Sequence, residues 1–146
     1  MSIFYQITNN RPLMAAVFGW CIAQFLKVPW HYFIYREWSI KRAFGSGGMP
    51  SSHSAATVAM TIALGNSYGY DSPYFAVSAL FAAITMYDAA GVRLETGRQA
   101  EIINDLVERL HEDYGFGVAK LKEMVGHTPV QVIVGAAIGL VIGVLF

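Results

Sequence analysis

Apolar residues dominate four stretches of the chain, and polar segments separate them. The stretches run from Pro12 to roughly Tyr35, from Ser54 to about Gly69, from Pro73 to Val92 and from Pro129 to Phe146. A helix needs about 20 apolar residues to cross the hydrocarbon core of a bilayer, and proline near the start of a run suits the first turn of a helix. The pattern predicts an all-α, polytopic transmembrane bundle of about four spans, which forms a single domain over residues 1–146.

A fifth segment, from Gln99 to Leu110, has a different periodicity. Its apolar residues recur at helical spacing: Ala100, Ile103, Leu106, Val107 and Leu110. Its charged residues fill the other side: Glu101, Asp105, Glu108 and Arg109. This pattern predicts an amphipathic helix. Three roles remain open for it, namely a lid over a charged face, a helix lying at the membrane surface, and a solvated connection packed on the bundle.

The last apolar stretch carries Gly135, Gly139 and Gly143 at intervals of four residues. Glycines at this spacing form one smooth stripe on a helix, along which a second helix approaches closely. Two interpretations stay open: the stripe is the seam of a homodimer, or it packs tightly inside one subunit.

Composition supports a membrane location. The 146 residues are 55% hydrophobic and 14% charged, whereas a soluble domain carries about 25% charged residues. Ten basic and ten acidic residues balance, so no nucleic-acid-binding charge is visible. Cys21 is the single cysteine, which rules out a disulfide within the chain. The N-terminal segment lacks the basic region of a cleaved signal peptide, so we expect the first apolar run to be retained.

Lysine and arginine are concentrated in two polar segments, Arg36–Met49 and Arg93–His127. Two predicted spans lie between these segments, so both are expected on the same side of the membrane. The positive-inside rule then places both segments in the cytoplasm and both chain termini outside. We therefore expect a multi-pass protein of the cell membrane with its charged face on the cytoplasmic side.

Ionisable residues inside or next to the predicted spans are candidates for function, because charge near hydrocarbon is costly. They are Lys27, His53, Asp88, Arg93 and His127. In the four-span topology, all of them except Asp88 fall near the cytoplasmic face, and the level of Asp88 is left open. Each also has a structural interpretation: a histidine can cap its helix, Lys27 can extend its ammonium to the interface, and Asp88 can pair with Arg93.

Two imidazoles, several cations and the Gly47–Gly48 loop suit phosphoryl transfer. Cations and backbone N–H groups stabilise the charge on the transferred group. One histidine can attack phosphorus, and the other can protonate the leaving oxygen. The four histidines show no short ligand spacing, so we predict neither a metal site nor a cofactor.

Three segments carry a specific resemblance. They are Gly47-Gly48-Met49-Pro50-Ser51-Ser52-His53-Ser54-Ala55, Tyr87-Asp88-Ala89-Ala90-Gly91-Val92-Arg93, and Leu121-Lys122-Glu123-x-x-Gly126-His127-Thr128-Pro129. Together they resemble the divergent PAP2 family, which comprises membrane relatives of type 2 phosphatidic acid phosphatases and vanadium haloperoxidases. The likeness extends from about Gln24 to Gly143.

The resemblance implies roles for the phosphate-binding residues. Lys27 matches the lysine of the superfamily's first motif, while its arginine partner is ambiguous between Arg36 and Arg42. Arg93 matches the arginine of the third motif. Hydrogen bonds to phosphate would come from Ser51, Ser52 and the backbone at Gly48.

The resemblance also implies the catalytic pair. Pro50-Ser51-Ser52-His53 is similar to the superfamily's Pro-Ser-Gly-His motif, which makes His53 the general acid. His127 matches the nucleophilic histidine. Two features depart from the pattern: the spacer between Arg93 and His127 is much longer, and Gln131 replaces the aspartate that orients the nucleophile. Asp88 or Glu123 is then expected to supply the missing carboxylate.

The resemblance thus implies an integral membrane phosphatase that hydrolyses a lipid phosphate monoester or diphosphate through a phosphohistidine, without a metal. Phosphatidylglycerophosphate, phosphatidate and polyprenyl phosphates or diphosphates are all candidate substrates. Gln131 and the long spacer keep one alternative open, a non-catalytic protein that binds or transports anionic lipids through the same phosphate pocket. A purely structural bundle is the third hypothesis.

Overall fold

A computed structural model describes residues 2–39, 47–114, 119–121, 123 and 126–146, and the regular elements of this part of the chain are all helices. They are α1 (Ile3–Thr8), α2 (Arg11–Tyr35), α3 (Ser52–Tyr68), α4 (Pro73–Ala90), α5 (Val92–Tyr114) and α6 (Pro129–Leu145). The all-helical class predicted from the sequence is therefore confirmed.

Polar caps determine where the long helices begin. The capping residues are Asn10 for α2, Ser51 for α3, Ser72 for α4 and Thr128 for α6, and each accepts a backbone N–H from the first turn. These side chains satisfy N–H groups that have no partner within the helix. Proline occupies the first turn of α2, α4 and α6, whereas Pro50 lies just before the cap of α3. As a result, His53 falls in the first turn of α3.

Two stretches of the described chain are long and apolar enough to cross a membrane. One is α2, and the other is the helical stretch Pro73–His111, which begins with α4. Both α3 and α6 have 17 residues, which corresponds to about 26 Å of helix against a hydrocarbon core of about 30 Å. The apolar, membrane-compatible character is confirmed, and the count of four spans stays a prediction.

The bundle is centred on α3, which packs against α2, α4 and α6. Small side chains dominate its contacts: Ala15 of α2 and Ala59 and Ala63 of α3 form a buried cluster with Ile142 of α6. A Cβ added at Gly19 would come within 2.8 Å of the Ala55 carbonyl oxygen. Small residues thus let α2 and α3 approach with their backbones nearly in contact.

The glycine stripe of α6 faces α3 of the same chain. A Cβ at Gly135 would overlap the carbonyl of Ser51, and one at Gly139 would overlap that of Ala55. Gly143 meets Ile62 in the same way. The glycine stripe is therefore packed inside one subunit in this structure. A homodimer stays a prediction, and its seam has to use other residues, because these glycine surfaces are already buried.

Helix α5 is longer than the amphipathic segment that the sequence predicts. It starts at Val92, directly after Gly91, which separates it from α4. Ion pairs along its surface join Arg98 to Glu95 at 2.5 Å and Arg109 to Asp105 at 3.0 Å, a spacing that supports helix. Its predicted roles as a lid or an interfacial helix stay predictions.

Candidate active site

His53 and His127 line one cavity of about 40 Å³, here called the histidine cavity. Its other lining residues are Gly47, Thr85, Asp88, Ala89 and Arg93. His53 comes from the first turn of α3 and is exposed, whereas His127 precedes α6 and is only 4% exposed. The structure thus brings together four of the predicted residues, which come from three separate segments of the chain.

Backbone contacts hold His127 in this position. Its N–H donates to the carbonyl of Ala89, near the end of α4, at 3.0 Å. The preceding residue, Gly126, lies so close to α5 that a Cβ there would overlap the backbone of Arg93 and Leu94. The end of the long spacer therefore lies next to Arg93, the residue at which the spacer began. As a result, Arg93 and His127 are close together in space.

Asn104 fixes the returning segment, and the sequence analysis missed it. This side chain of α5 is 7% exposed. Its Nδ2 donates to the Leu121 carbonyl at 2.9 Å and to Glu123 Oε1 at 2.8 Å, while its Oδ1 accepts the Leu121 N–H at 2.8 Å. A polar residue among the apolar positions Ala100, Ile103 and Val107 was the available signal. The carboxylate of Glu123 therefore binds Asn104, which gives it a role in anchoring the segment.

Gln131 contacts the His127 ring directly. Its Oε1 accepts the Thr128 N–H at 3.1 Å and lies 3.2 Å from His127 Nδ1. A backbone N–H can only donate, so the Gln131 atom that contacts both Thr128 and the ring is the amide oxygen. This oxygen can only accept, so the hydrogen bond to the ring requires a proton on Nδ1. The neutral ring then has its lone pair on Nε2. Gln131 thus provides the orienting contact predicted for this position, through a neutral oxygen.

Burial lowers the pKa of His127 below its usual value, because the imidazolium loses hydration. The hydrogen bond to Gln131 acts in the opposite direction, as does the carbonyl of Gly48. The charges of Lys27 and His53 lower the pKa further. The net shift of the pKa is downward, which favours the neutral ring near neutral pH.

We expect Gln131→Glu to raise the pKa of His127 by about one unit or more, because a carboxylate within hydrogen-bond distance favours the charged ring. Nitrogen NMR of labelled histidine in detergent micelles would measure this pKa. Gln99→Glu, on the exposed side of α5, adds the same charge elsewhere and serves as the control. An unchanged His127 pKa in Gln131→Glu would contradict the contact.

Asp88 pairs with Arg93, and both line the histidine cavity. Arg93 Nε lies 2.5 Å from Asp88 Oδ2, with the side chains 53% and 36% exposed. This pair is one of the structural interpretations made from the sequence. The carboxylate predicted to orient His127 instead holds the guanidinium of Arg93, and it keeps that cation at the wall of the cavity.

Lys27 lines a neighbouring cavity of about 110 Å³, here called the lysine groove. From α2 the groove is lined by Lys27, Trp30, His31, Ile34 and Tyr35; the opposite wall consists of Gly47, Gly48, Met49 and Gln131. Lys27 is 4% exposed. Gly47 lines both cavities, which therefore adjoin each other at this residue.

The two candidate arginines of the first motif are not brought to this site by the described structure. Arg36 is exposed at the end of α2, where its backbone N–H bonds the Tyr32 carbonyl. Arg42 lies outside the described residues.

The serines next to His53 have structural contacts. The Ser51 hydroxyl is fully buried, accepts the Ser54 N–H at 3.3 Å and bonds the Ser54 hydroxyl at 2.9 Å. Ser52 is 2% exposed. Gly47 and Gly48 have φ of 83° and 79°, a conformation that favours glycine. Ser51 is therefore occupied as the cap of α3, and a role of these serines or of the Gly48 backbone in binding phosphate stays a prediction.

Thr85 is a further cavity residue that sequence reasoning missed. It lies on α4 one turn before Asp88, and its hydroxyl donates to the Phe81 carbonyl at 2.8 Å. The signal in the sequence was its position one helical turn from Asp88, on the same side of the predicted helix. Among the residues that the structure describes, no three His, Cys, Asp or Glu side chains are grouped so that they would hold a metal ion.

Comparison with known proteins gives two matches. Residues 8–142 match the family model described as the Divergent PAP2 family. The chain is 39% identical over 148 residues to the uncharacterized membrane protein YuiD of Bacillus subtilis (strain 168), and the alignment covers 94% of each protein. No solved structure matches the chain.

Proposed function

Because the chain belongs to the divergent PAP2 family, we propose that this membrane protein is a phosphatase that hydrolyses a lipid phosphate monoester or diphosphate through a phosphohistidine. The observation that carries the proposal is the histidine cavity, in which His53, His127 and Arg93 surround one space. A buried, neutral nucleophile, a second imidazole and a guanidinium are the groups that metal-independent phosphoryl transfer requires.

In the first step, Nε2 of His127 attacks phosphorus while the bond from phosphorus to the leaving oxygen breaks. His53 donates its proton to that oxygen, and Arg93 balances the charge on the transferring phosphoryl group. Water then attacks the phosphohistidine with His53 as the base, which releases inorganic phosphate and restores both rings. Gln131 keeps the Nδ1 proton in place throughout.

The site is proposed to lie on the cytoplasmic side of a multi-pass protein, since the Lys- and Arg-rich segments flank it in the sequence. Exposed apolar side chains on α2 and α4, such as Phe25 and Val77, suit contact with lipid. A substrate that enters from the bilayer would reach the cavity without leaving the membrane.

The direct test uses the purified chain in detergent with phosphatidate, phosphatidylglycerophosphate, and polyprenyl mono- and diphosphates. We expect phosphate release that persists in EDTA and is blocked by vanadate, which mimics the trigonal geometry of the transition state. Failure to release phosphate from any of these lipids, together with lipid binding that Arg93→Gln weakens, would instead support the non-catalytic lipid binder.

We expect the rate of phosphoenzyme formation to decline on the acid side of its pH profile only below pH ~6.5, the usual pKa of histidine. This decline is the acid limb of the profile. Attack needs neutral His127, and the lowered pKa of this residue keeps it neutral as the pH falls through the usual value. The same shift means that His127 supports folding above its usual pKa and loses this support as pH falls through its lowered pKa. Quench-flow with an aryl phosphate would measure the limb. A limb at or above pH ~6.5 would contradict the assignment.

A further inference from the structure

Thr85 brings a hydroxyl-bearing side chain to the wall of the histidine cavity. It lies on α4 one turn before Asp88, and both residues line the cavity together with His53 of α3. The same part of α4 carries the apolar side chains of Phe81 and Ile84, which are 54% and 58% exposed. Thr85 is therefore a polar residue within an apolar stretch of α4, placed where that stretch borders the histidines.

The hydrogen bond that Thr85 already makes determines what else its hydroxyl can do. Oγ1 donates to the Phe81 carbonyl at 2.8 Å, which is a common way for threonine to satisfy its proton within a helix. A hydroxyl has one proton and two lone pairs, so the Thr85 oxygen remains able to accept. It cannot donate to a phosphate oxygen without giving up its bond to Phe81.

Water is the participant in the proposed reaction that needs such an acceptor. A phosphoryl group on His127 presents oxygens, which accept hydrogen bonds. The water that hydrolyses it carries two protons: one passes to His53, and the other needs an acceptor if the water is to be held with a lone pair toward phosphorus. The cavity volume is about 40 Å³, and one water needs about 10–15 Å³ and two to four polar partners. The cavity therefore suits a bound water.

On the basis of the proposed phosphatase activity, we propose that Thr85 positions the water that hydrolyses the phosphohistidine. The water donates one hydrogen bond to Thr85 Oγ1 and the other to the neutral ring of His53. Its oxygen bonds to phosphorus as the bond between phosphorus and His127 Nε2 breaks. One proton passes to His53, the other stays on the released phosphate, and Nε2 regains its lone pair. Thr85 takes no part in the earlier step, in which the lipid leaves.

Valine at this position removes the acceptor and keeps the shape of the side chain. We expect Thr85→Val to slow hydrolysis of the phosphohistidine by about tenfold, the effect of one hydrogen bond, and to leave its formation unchanged. The phosphoenzyme then accumulates while kcat/KM for the lipid phosphate stays the same. Rapid-quench measurement of both steps would show this. Equal slowing of the two steps would assign Thr85 a structural role and overturn the proposal.

Two further variants make the comparison specific. Thr85→Ser keeps the hydroxyl and should hydrolyse the phosphohistidine at nearly the normal rate. Thr96→Val is the matched control, because the Thr96 hydroxyl donates to the carbonyl four residues earlier on exposed α5, also at 2.8 Å. We expect normal kinetics from it. A Thr85→Ser variant as slow as Thr85→Val would contradict a role for the hydroxyl.

Methanol as a competing nucleophile gives a readout that depends on the second proton of water. Its single hydroxyl proton passes to His53, so methanol has none for Thr85. We therefore expect Thr85→Val to raise the ratio of methyl phosphate to inorganic phosphate by about tenfold, since only the attack of water loses a hydrogen bond. Phosphorus NMR of the products measures this ratio. An unchanged ratio would mean that another acceptor, such as Asp88, holds the water, and it would overturn the proposal.

Chemical phosphorylation separates this inference from the proposed activity. Potassium phosphoramidate phosphorylates histidine without a lipid, and mass spectrometry would follow the loss of phosphate from His127. Slower loss in Thr85→Val than in Thr96→Val would uphold the water site even if the chain hydrolyses no lipid phosphate. Equal loss would refute the water site and leave the activity to the lipid assay. A His127 that phosphoramidate does not modify would show that the cavity admits no phosphoryl group, which also refutes the water site.

Discussion

His127→Asn is expected to lose the phosphoenzyme and phosphate release together, by about 10³-fold or more, because it removes the atom that attacks phosphorus. The bond from Nδ1 to Gln131 leaves Nε2 as the nitrogen proposed to attack. The loss should be the same for every substrate, whatever its leaving group. Phosphohistidine hydrolyses in acid. The phosphoenzyme formed from radiolabelled lipid phosphate would therefore be trapped with an alkaline quench.

His53→Asn makes this prediction sharper, because its effect should depend on the leaving group. An alkyl oxygen needs a proton, so hydrolysis of a lipid phosphate should fall by about 10²–10⁴-fold, the usual contribution of a general acid. p-Nitrophenolate leaves without a proton, so the first turnover of p-nitrophenyl phosphate should change little. His111→Asn, on exposed α5, is the control. Equal losses on both substrates in His53→Asn would contradict its role as the acid.

Gly126→Ala is expected to lower the rate by about 10²-fold, the effect of displacing a reacting group by about 1 Å. The added Cβ overlaps the backbone of Arg93 and Leu94, so the segment must move away from α5 and carry His127 with it. Helix content should be retained, because Gly126 lies outside the helices. Turnover and circular dichroism of the same preparation would be compared.

Thr128→Ser is the matched control for this displacement. It changes the other neighbour of His127 and keeps the hydroxyl that caps α6. We expect near-normal turnover from it. Full activity in Gly126→Ala would mean that contact with α5 does not position the histidine, and loss of helix would point to a folding defect. In that case Asn104→Ala tests the same docking from the other end of the segment.

The sequence was sufficient to identify the histidines of the cavity. His53 and His127 stand at the boundaries of apolar runs, and helix boundaries on the same side of a bundle meet in space. The pairing of Asp88 with Arg93 was one of the interpretations left open by the sequence, because both residues stand near the end of an otherwise apolar span. These features depend on local hydropathy and on motif matches, which one sequence contains in full.

Contacts between distant segments were harder to predict. Asn104 bonds Leu121 and Glu123, which lie 17 and 19 residues later in the chain, and helical periodicity says only which side of α5 it occupies. Lys27 was assigned to the same phosphate as the histidines, and it lines the cavity that adjoins theirs at Gly47, so this assignment stays a prediction. Hydropathy does not show which of two adjoining cavities a buried side chain lines. Hydropathy likewise could not show whether Gly139 packs against a second subunit or inside one subunit.

The close packing of α3 on α6 has a consequence for biosynthesis. Translation delivers α3 well before α6, so the carbonyls of Ala55 and Ala59 that α6 covers wait for their partner while the ribosome finishes the chain. His127 emerges just ahead of α6, and no shorter nascent form holds both imidazoles. Until α6 has been synthesised, the small-residue surface of α3 therefore lacks the helix that covers it.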